Sequence, residues 1–130
     1  MTTYVADTHS LVWYLGSPER LGPLAREAFA EATVGHAKII IPVIVLAEII
    51  FIVERGRVHA DMRSIVRQLR RHPFFSIVPL RLATVLRLQT LASIPEMHDR
   101  ILVAETLAYR ASLITRDRAI HDAGIVPTTW

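Results

Sequence analysis

Cysteine is absent from the 130 residues of this chain. Its absence excludes disulfide frameworks, thiolate metal sites and cysteine nucleophiles, and it agrees with a reducing compartment such as the cytoplasm. Lysine occurs once, at Lys38, so nearly all of the positive charge is arginine. Because arginine contacts phosphates and carboxylates bidentately, the net charge of +3 is a weak indication of an anionic partner.

The sequence also lacks a segment that could span a membrane. The most apolar run, residues 39–53, contains Pro42 and Glu48 and is shorter than the roughly 18 to 20 apolar residues that a spanning helix needs. It is therefore predicted to be buried core. The N-terminus has neither the basic nor the apolar region of a signal peptide, so we expect a cytoplasmic protein with no membrane contact.

Predicted strands and helices alternate along the chain. Low-complexity tracts, linkers and internal repeats are missing, and 52% of the residues are hydrophobic, so residues 1–130 are expected to form a single domain. Strands are predicted at residues 3–7, 37–41, 74–78 and 111–115, with an edge strand in 125–130. Helices are predicted at residues 8–15, 22–34, 43–54, 59–71, 79–92 and 99–110, with a short turn or helix at 116–124. This alternation predicts an α/β fold with a mainly parallel central sheet covered on both faces.

Four acidic residues occupy positions that such a fold can bring together. Asp7 ends the first predicted strand, Asp117 follows the fourth, Asp99 begins the helix before that strand, and Glu48 lies among apolar residues of a helix. In an open parallel sheet, ligands bind at the carboxyl ends of the strands. The pattern therefore predicts an acidic site at this edge.

Structural roles are the alternative for each of these residues. Asp7, Asp99 and Asp117 could be helix N-caps, a role that contributes about 1 kcal/mol. Glu48 could be buried in an ion pair with an arginine, since an unpaired carboxylate in apolar surroundings costs several kcal/mol.

A convergence of the four carboxylates favours a bound cation. Two carboxylates about 4 Å apart repel by about 4 kcal/mol at an effective dielectric constant of 20, which is a large part of a typical folding stability of about 5–15 kcal/mol. A hard divalent ion relieves this repulsion. Magnesium and manganese prefer oxygen ligands, so an all-carboxylate site suits them better than zinc.

Four segments, in order, resemble a known family. "YVADTHSLVWYL", "LAEII", "HDRILVAETLAYRASLITRD" and the ending "VPTTW" are similar to those of PIN-domain ribonucleases of the VapC toxin type. Each segment alone is a loose signal, but the ordered set runs from the first strand to the C-terminus. The resemblance implies a PIN-like three-layer α/β/α fold.

The resemblance also implies a role for each acidic residue. Asp7, Glu48, Asp99 and Asp117 would be catalytic metal ligands, and Thr115 would help to hold a ligand, water or phosphate. Such proteins use Mg²⁺ or Mn²⁺ to hydrolyse RNA phosphodiester bonds. They usually form homodimers and are neutralised by a small cognate antitoxin.

The sequence departs from the family pattern at two places. Pro42 stands where relatives often have a serine that caps the following helix. "PEMHDR" replaces a "DPxDR"-like stretch, which leaves open whether Glu96 shares the role of Asp99. His98 could orient a water or a phosphate, although an exposed loop histidine is the more common case. Asp122 is a weaker fifth candidate and is expected to be a surface residue.

Arginines are expected to supply the RNA-binding rim of the acidic site. Arg116 and Arg118 flank Asp117, while Arg63 and Arg67 lie on one face of a predicted helix. The helical arginines could equally be a solvated face or a patch for an acidic antitoxin segment.

Two other classes of function remain open at the level of sequence. One is a non-catalytic RNA- or partner-binding module on the same fold. The other is a flavodoxin-like phosphotransfer domain, but that class normally has a lysine near its site, and Lys38 lies at the amino end of the second strand, opposite to the predicted site. The apolar stripes of the first and third helices could face another subunit, and Trp13 is expected in the core.

Overall fold

Five parallel strands form the central sheet of the computed structural model, which describes all of residues 1–130. The strands are β1 (Thr2–Ala6), β2 (Ala37–Pro42), β3 (Phe75–Val78), β4 (Ser112–Ile114) and β5 (Thr128–Thr129). Their spatial order is β3-β2-β1-β4-β5, with β5 at one edge. The predicted parallel sheet and its C-terminal edge strand are confirmed.

Seven helices cover the two faces of the sheet. They are α1 (Thr8–Gly16), α2 (Pro23–Thr33), α3 (Val43–Glu54), α4 (Met62–Arg70), α5 (Leu82–Arg87), α6 (Met97–Ala108) and α7 (Arg118–Ala123). The connections from β1 to β2 and from β2 to β3 contain α1 to α4. The connections from β3 to β4 and from β4 to β5 contain α5 to α7. Because parallel crossovers are right-handed, the two groups lie on opposite faces. The predicted three-layer α/β/α arrangement is confirmed.

The core lies between the sheet and its helices. A cluster of 28 buried hydrophobic residues forms it, and β2 contributes an unbroken apolar run, Ile39–Ile41, with every side chain buried. Such runs are typical of strands covered on both faces. The strand part of the apolar segment 39–53 thus belongs to the core. No helix of the structure is long and apolar enough to cross a membrane.

Some element boundaries differ from those predicted. The helix predicted at 79–92 consists of α5 and a separate 3₁₀ turn at Leu88–Leu91. The helix predicted at 59–71 begins only at Met62, because Asp61 caps it by accepting a hydrogen bond from the backbone of Arg63. The helix predicted at 99–110 begins two residues earlier, at Met97.

The reversal of strand order at β1 determines where a ligand can bind. The chain winds from β1 toward β3 and later resumes on the other side, at β4. The loops that leave β1 and β4 therefore diverge to opposite sides of the sheet and leave a crevice at the carboxyl ends of these strands. The backbone N–H of Asp7 donates to the carbonyl of Ile114, 3.2 Å away, which holds the two strand ends side by side.

Candidate active site

A cleft of about 390 Å³ lies at this crevice. All four acidic residues singled out from the sequence line it, together with Thr115 and Arg116. The full lining comprises Asp7, Thr8, His9, Glu48, Glu96, His98, Asp99, Leu102, Thr115, Arg116 and Asp117. Only one of these side chains, that of Leu102, is hydrophobic. Asp7, Glu48, Asp99 and Asp117 are each half-buried, so their carboxylates are partly removed from water but reachable by a ligand.

Asp7 and Asp117 have the structural role that the sequence left open for them. Oδ1 of Asp7 accepts a hydrogen bond from the backbone N–H of Ser10 at 2.8 Å, and Oδ1 of Asp117 accepts one from Ile120 at 3.0 Å. Each carboxylate therefore caps a helix. The caps use a single oxygen of each side chain, so capping and lining the cleft are compatible.

Thr115 connects these two aspartates. It is buried, and its Oγ1 accepts a hydrogen bond from the backbone N–H of Asp117 at 3.0 Å. Burial raises the pKa of Asp7, and the hydroxyl of Thr115, together with the cap from Ser10, partly opposes that rise. Thr115 thus fixes the backbone at Asp117 and favours the ionised form of Asp7.

Glu48 lies in the second turn of α3 and reaches the cleft without a cationic partner. Pro42 precedes this helix and supplies no side-chain cap, as expected from its chemistry. The ion pair with an arginine, which the sequence left open for Glu48, is not formed. The only ion pairs in the structure join His36 to Glu31 and His98 to Glu96.

Glu96, and not Asp99, caps helix α6. The Oε2 atom of Glu96 accepts from the backbone N–H of Asp99 at 2.8 Å, and its Oε1 lies 2.9 Å from Nδ1 of His98. Slight burial raises the pKa of Glu96, but these hydrogen bonds outweigh it and hold the pKa below its usual value. Asp99 therefore lies inside the first turn, with its carboxylate free, and His98 is a helical residue of the cleft instead of a loop residue. Asp122 is exposed and does not line the cleft.

The cleft carries unneutralised negative charge. Burial, followed by the charges of Asp117, Glu96, Glu48 and Asp7, raises the pKa of Asp99 to about 6. No arginine or lysine lies within ion-pair distance of these carboxylates. Such a site destabilises the ionised form of its carboxylates, so it favours the binding of a cation.

The donors fit a hard divalent ion in chemistry, since they are carboxylate oxygens. As the side chains stand, no three Asp, Glu or His groups are close enough to hold a metal ion, so side-chain rotations are needed to bring them to one point. Thr8 gives an independent indication of a polar ligand. Its Oγ1 is buried in the lining of the cleft and has no hydrogen-bond partner, which is costly unless a ligand or water supplies one. No pattern in the sequence distinguishes Thr8 from other threonines.

Arg116 is the one arginine or lysine that lines the acidic cleft, in agreement with its place in the sequence beside Asp117. Its guanidinium lies 4.5 Å from the ring centroid of Trp13, and Arg20 lies at the same distance from that ring. Cation–π contact of this kind holds an arginine without neutralising it. Trp13 is buried, as expected, and carries this contact from within the core.

The remaining arginines lie farther from the acidic residues. Arg118 is exposed in a cavity next to the cleft. Arg63 and Arg67 line neither, because α4 packs against the distant strand β3. Arg55 and Arg57, which sequence reasoning did not single out, line a cavity that shares Glu48 with the cleft.

Comparison with known proteins agrees with this architecture. The family model described as "PIN domain" matches residues 4–126. No curated protein matches the sequence. Three solved structures are similar over nearly their whole length, at identities that show the fold alone.

VapBC2 from Rickettsia felis, bound to a DNA fragment from its promoter, is 15% identical with a TM-score of 0.69, covering 98% of this chain and 97% of that one. A toxin–antitoxin complex from Klebsiella pneumoniae is 19% identical with a TM-score of 0.65, covering 95% and 94%. FitAcB from Neisseria gonorrhoeae is 16% identical with a TM-score of 0.61, covering 96% and 95%. The family match spans nearly all of the sequence and includes all four acidic residues of the cleft, and the chain therefore belongs to the PIN domain family.

Proposed function

We propose that this protein is a divalent-metal-dependent ribonuclease that hydrolyses RNA phosphodiester bonds and acts in the cytoplasm as the toxin of a toxin–antitoxin pair. The observation that carries the proposal is the acidic cleft. Side chains from four separate segments, Asp7, Glu48, Asp99 and Asp117, line one crevice, and none of them forms an ion pair with an arginine or lysine. Membership of the PIN domain family supports nuclease chemistry at this place.

The four carboxylates are the residues that would hold Mg²⁺ or Mn²⁺. When bound, such an ion supplies activation of water and neutralisation of charge on the phosphate. The chain contributes the fixed frame for it. Thr115 fixes the backbone at Asp117 and favours the ionised form of Asp7, and the cap by Glu96 leaves the carboxylate of Asp99 free. With a pKa of about 6, Asp99 is mostly ionised and able to act as a ligand at pH 7.

RNA has to approach this negative cleft through cationic side chains. Arg116 is held beside the carboxylates by Trp13 and is free to contact a phosphate, and Arg118 extends the basic surface. Phosphate contacts of this kind fix the register of a strand and weaken with salt. We assign Arg63 and Arg67 to a distal part of the RNA or to an acidic segment of the antitoxin.

The metal requirement is the direct test of this function. A mixed RNA pool should be cleaved by the purified protein with Mn²⁺ or Mg²⁺ and left intact with EDTA, because the proposed mechanism requires a metal ion to activate the attacking water. Gel electrophoresis of the products measures the effect, and restoration of cleavage by excess Mn²⁺ is the control for EDTA. Cleavage that continues in EDTA contradicts the mechanism. Salt-sensitive RNA binding with no cleavage under any condition would instead establish the non-catalytic binding module.

A small cognate antitoxin and a second copy of the chain are the proposed protein partners. Structural similarity to toxin–antitoxin complexes supports the first. For the second, Leu11 and Trp13 of α1 are buried within the chain, whereas Val12, Tyr14 and Leu15 are partly exposed. Helix α3 leaves Ile50 and Phe51 exposed, and α5 has an exposed apolar stripe.

Helix α5 provides a test of dimer formation. Leu82 and Leu86 lie one turn apart and are 72% and 58% exposed, and apolar stripes of this kind are usually covered by a partner. Replacing both by glutamate should convert a dimer into a monomer, because two charges would have to be buried at the interface. Sedimentation velocity measures the mass. Leu24→Glu is the control, since Leu24 is also 58% exposed but lies on α2. A double variant that remains dimeric places the interface elsewhere.

A further inference from the structure

A second cavity adjoins the acidic cleft at the β4–β5 edge of the sheet. This C-terminal cavity has a volume of about 270 Å³, and its lining consists of Thr115, Arg116, Arg118, His121, Thr128 and Trp130. Thr115 and Arg116 also line the acidic cleft, so they form the boundary between the two. The lining contains no acidic side chain, which makes the C-terminal cavity the electrostatic opposite of its neighbour.

The cationic groups of the C-terminal cavity are available to a ligand. Arg116 and Arg118 are exposed and form no ion pair with a carboxylate. Nδ1 of His121 lies 2.8 Å from Oγ1 of Thr128, a hydrogen bond that fixes the imidazole and leaves Nε2 without a partner in the chain. In the tautomer whose Nδ1 accepts from the Thr128 hydroxyl, Nε2 carries the proton and can donate to a phosphate. The neighbouring guanidinium groups suit the same ligand.

Trp130 adds a rigid aromatic ring to these charges. It packs edge-on against Trp13, with ring centroids 5.6 Å apart. Its other support is Gly22, where a Cβ atom would come within 2.6 Å of Trp130. The absence of a side chain at Gly22 thus permits the close packing that holds the indole, which remains partly exposed in the cavity.

An aromatic ring beside phosphate-binding groups is the combination that binds a nucleotide of a single strand. The ring stacks on an unpaired base while cations contact the backbone, and the contact tolerates different bases. In a duplex the faces of a base are covered by its neighbours, so this mode requires an unstacked nucleotide.

We propose that the C-terminal cavity is a subsite for one unpaired nucleotide next to the scissile phosphate, with its base on Trp130 and its phosphate at Arg118 and His121. The assignment rests on the proposed ribonuclease function, because the shared residues Thr115 and Arg116 lead from the subsite directly into the acidic cleft. It predicts that a bound strand runs from the acidic cleft across the β4–β5 edge of the sheet.

Binding of a fluorescent single-stranded RNA hexamer tests the subsite. We would use the full protein with Ca²⁺ in place of Mn²⁺ and check by gel that the RNA stays intact. Arg118→Ala/His121→Ala should weaken affinity about tenfold and reduce the salt slope by about one. Both side chains are exposed, so the fold should be retained. Arg87→Ala, which removes an exposed arginine outside both cavities, should bind like wild type.

An abasic scan of the hexamer tests the stacking separately. At one position, loss of the base should weaken binding to the wild-type protein about tenfold, which is within the range of base–aromatic stacking. The same abasic change should weaken the binding of RNA to Trp130→Leu much less. Because the scan on wild-type protein needs no variant, it remains informative even if Trp130→Leu folds poorly.

Two results would overturn the subsite: wild-type affinity in Arg118→Ala/His121→Ala, or an abasic scan without a sensitive position. Cleavage with Mn²⁺, measured on the same proteins, separates the two proposals. Cleavage combined with unchanged affinities refutes the subsite and leaves the nuclease. Altered affinities without any cleavage overturn both the nuclease and a subsite beside a scissile phosphate, and leave the C-terminal cavity as the binding site of a non-catalytic module.

Discussion

Replacing Asp7 or Asp99 by asparagine should reduce RNA cleavage by at least about a hundredfold, since even outer-shell partners of a metal site are worth about 10- to 100-fold. Asparagine removes the charge that attracts the ion. At Asp7 it keeps the helix cap, because asparagine and aspartate are equally good N-cap residues, so a loss of activity would not reflect loss of α1. Initial rates of cleavage with Mn²⁺ measure the effect.

Asp61→Asn is the matched control for these variants. Asp61 caps α4 through the backbone N–H of Arg63, as Asp7 caps α1, but it lies outside the acidic cleft. This variant should cleave RNA at the wild-type rate. A normal rate for Asp7→Asn would remove Asp7 from the site and leave it as a cap alone.

The second large effect concerns the relative stability of the wild-type protein and Asp99→Asn, which bound metal should reverse. Its pKa of about 6, above the ordinary 3.8, means that the folded chain disfavours the ionised form. The contribution of protonated Asp99 to the free energy of unfolding is fully present below about pH 4. It is lost as the pH rises through about 6. In EDTA at pH 8, Asp99→Asn should therefore be more stable than wild type by about 1–2 kcal/mol, after the shift is discounted for solvent screening.

Metal should invert this order. An ion at a hundred times its dissociation constant stabilises the wild-type protein by about 2.7 kcal/mol, and a variant that lacks a ligand gains less. Urea unfolding at pH 4 and pH 8, with EDTA and with Mn²⁺, measures both effects. A stability difference in EDTA that is the same at pH 4 and pH 8 would contradict the assignment of the raised pKa to burial and neighbouring charges.

The helix predicted at 99–110 illustrates the limit of sequence reasoning near the site. Its existence follows from periodicity, but its first turn is fixed by Glu96 reaching back to the N–H of Asp99. "PEMHD" contains two acidic residues, each able to cap. Which of them caps, and which is left with a free carboxylate, is decided by how α6 packs against β1 and β4.

The arginines show the same limit for the substrate surface. Arg63 and Arg67 share a helix face, as expected, but α4 packs beside β3, far from the switch between β1 and β4. The contacts of Arg116 with Trp13, and of Trp13 with Trp130, join residues more than a hundred positions apart. No local pattern encodes such contacts.

Local patterns of the chain are enough to predict the α/β class, the resemblance to the family and the four acidic residues as candidates, because periodicity and carboxylates at junctions can be read within a short segment. Long-range packing is needed to show that these carboxylates have no ion-pair partner, that Thr8 has an unsatisfied hydroxyl, and that Trp130 lies in a basic cavity beside them. Those properties depend on which distant side chains are neighbours, and the strand order β3-β2-β1-β4-β5 sets that arrangement.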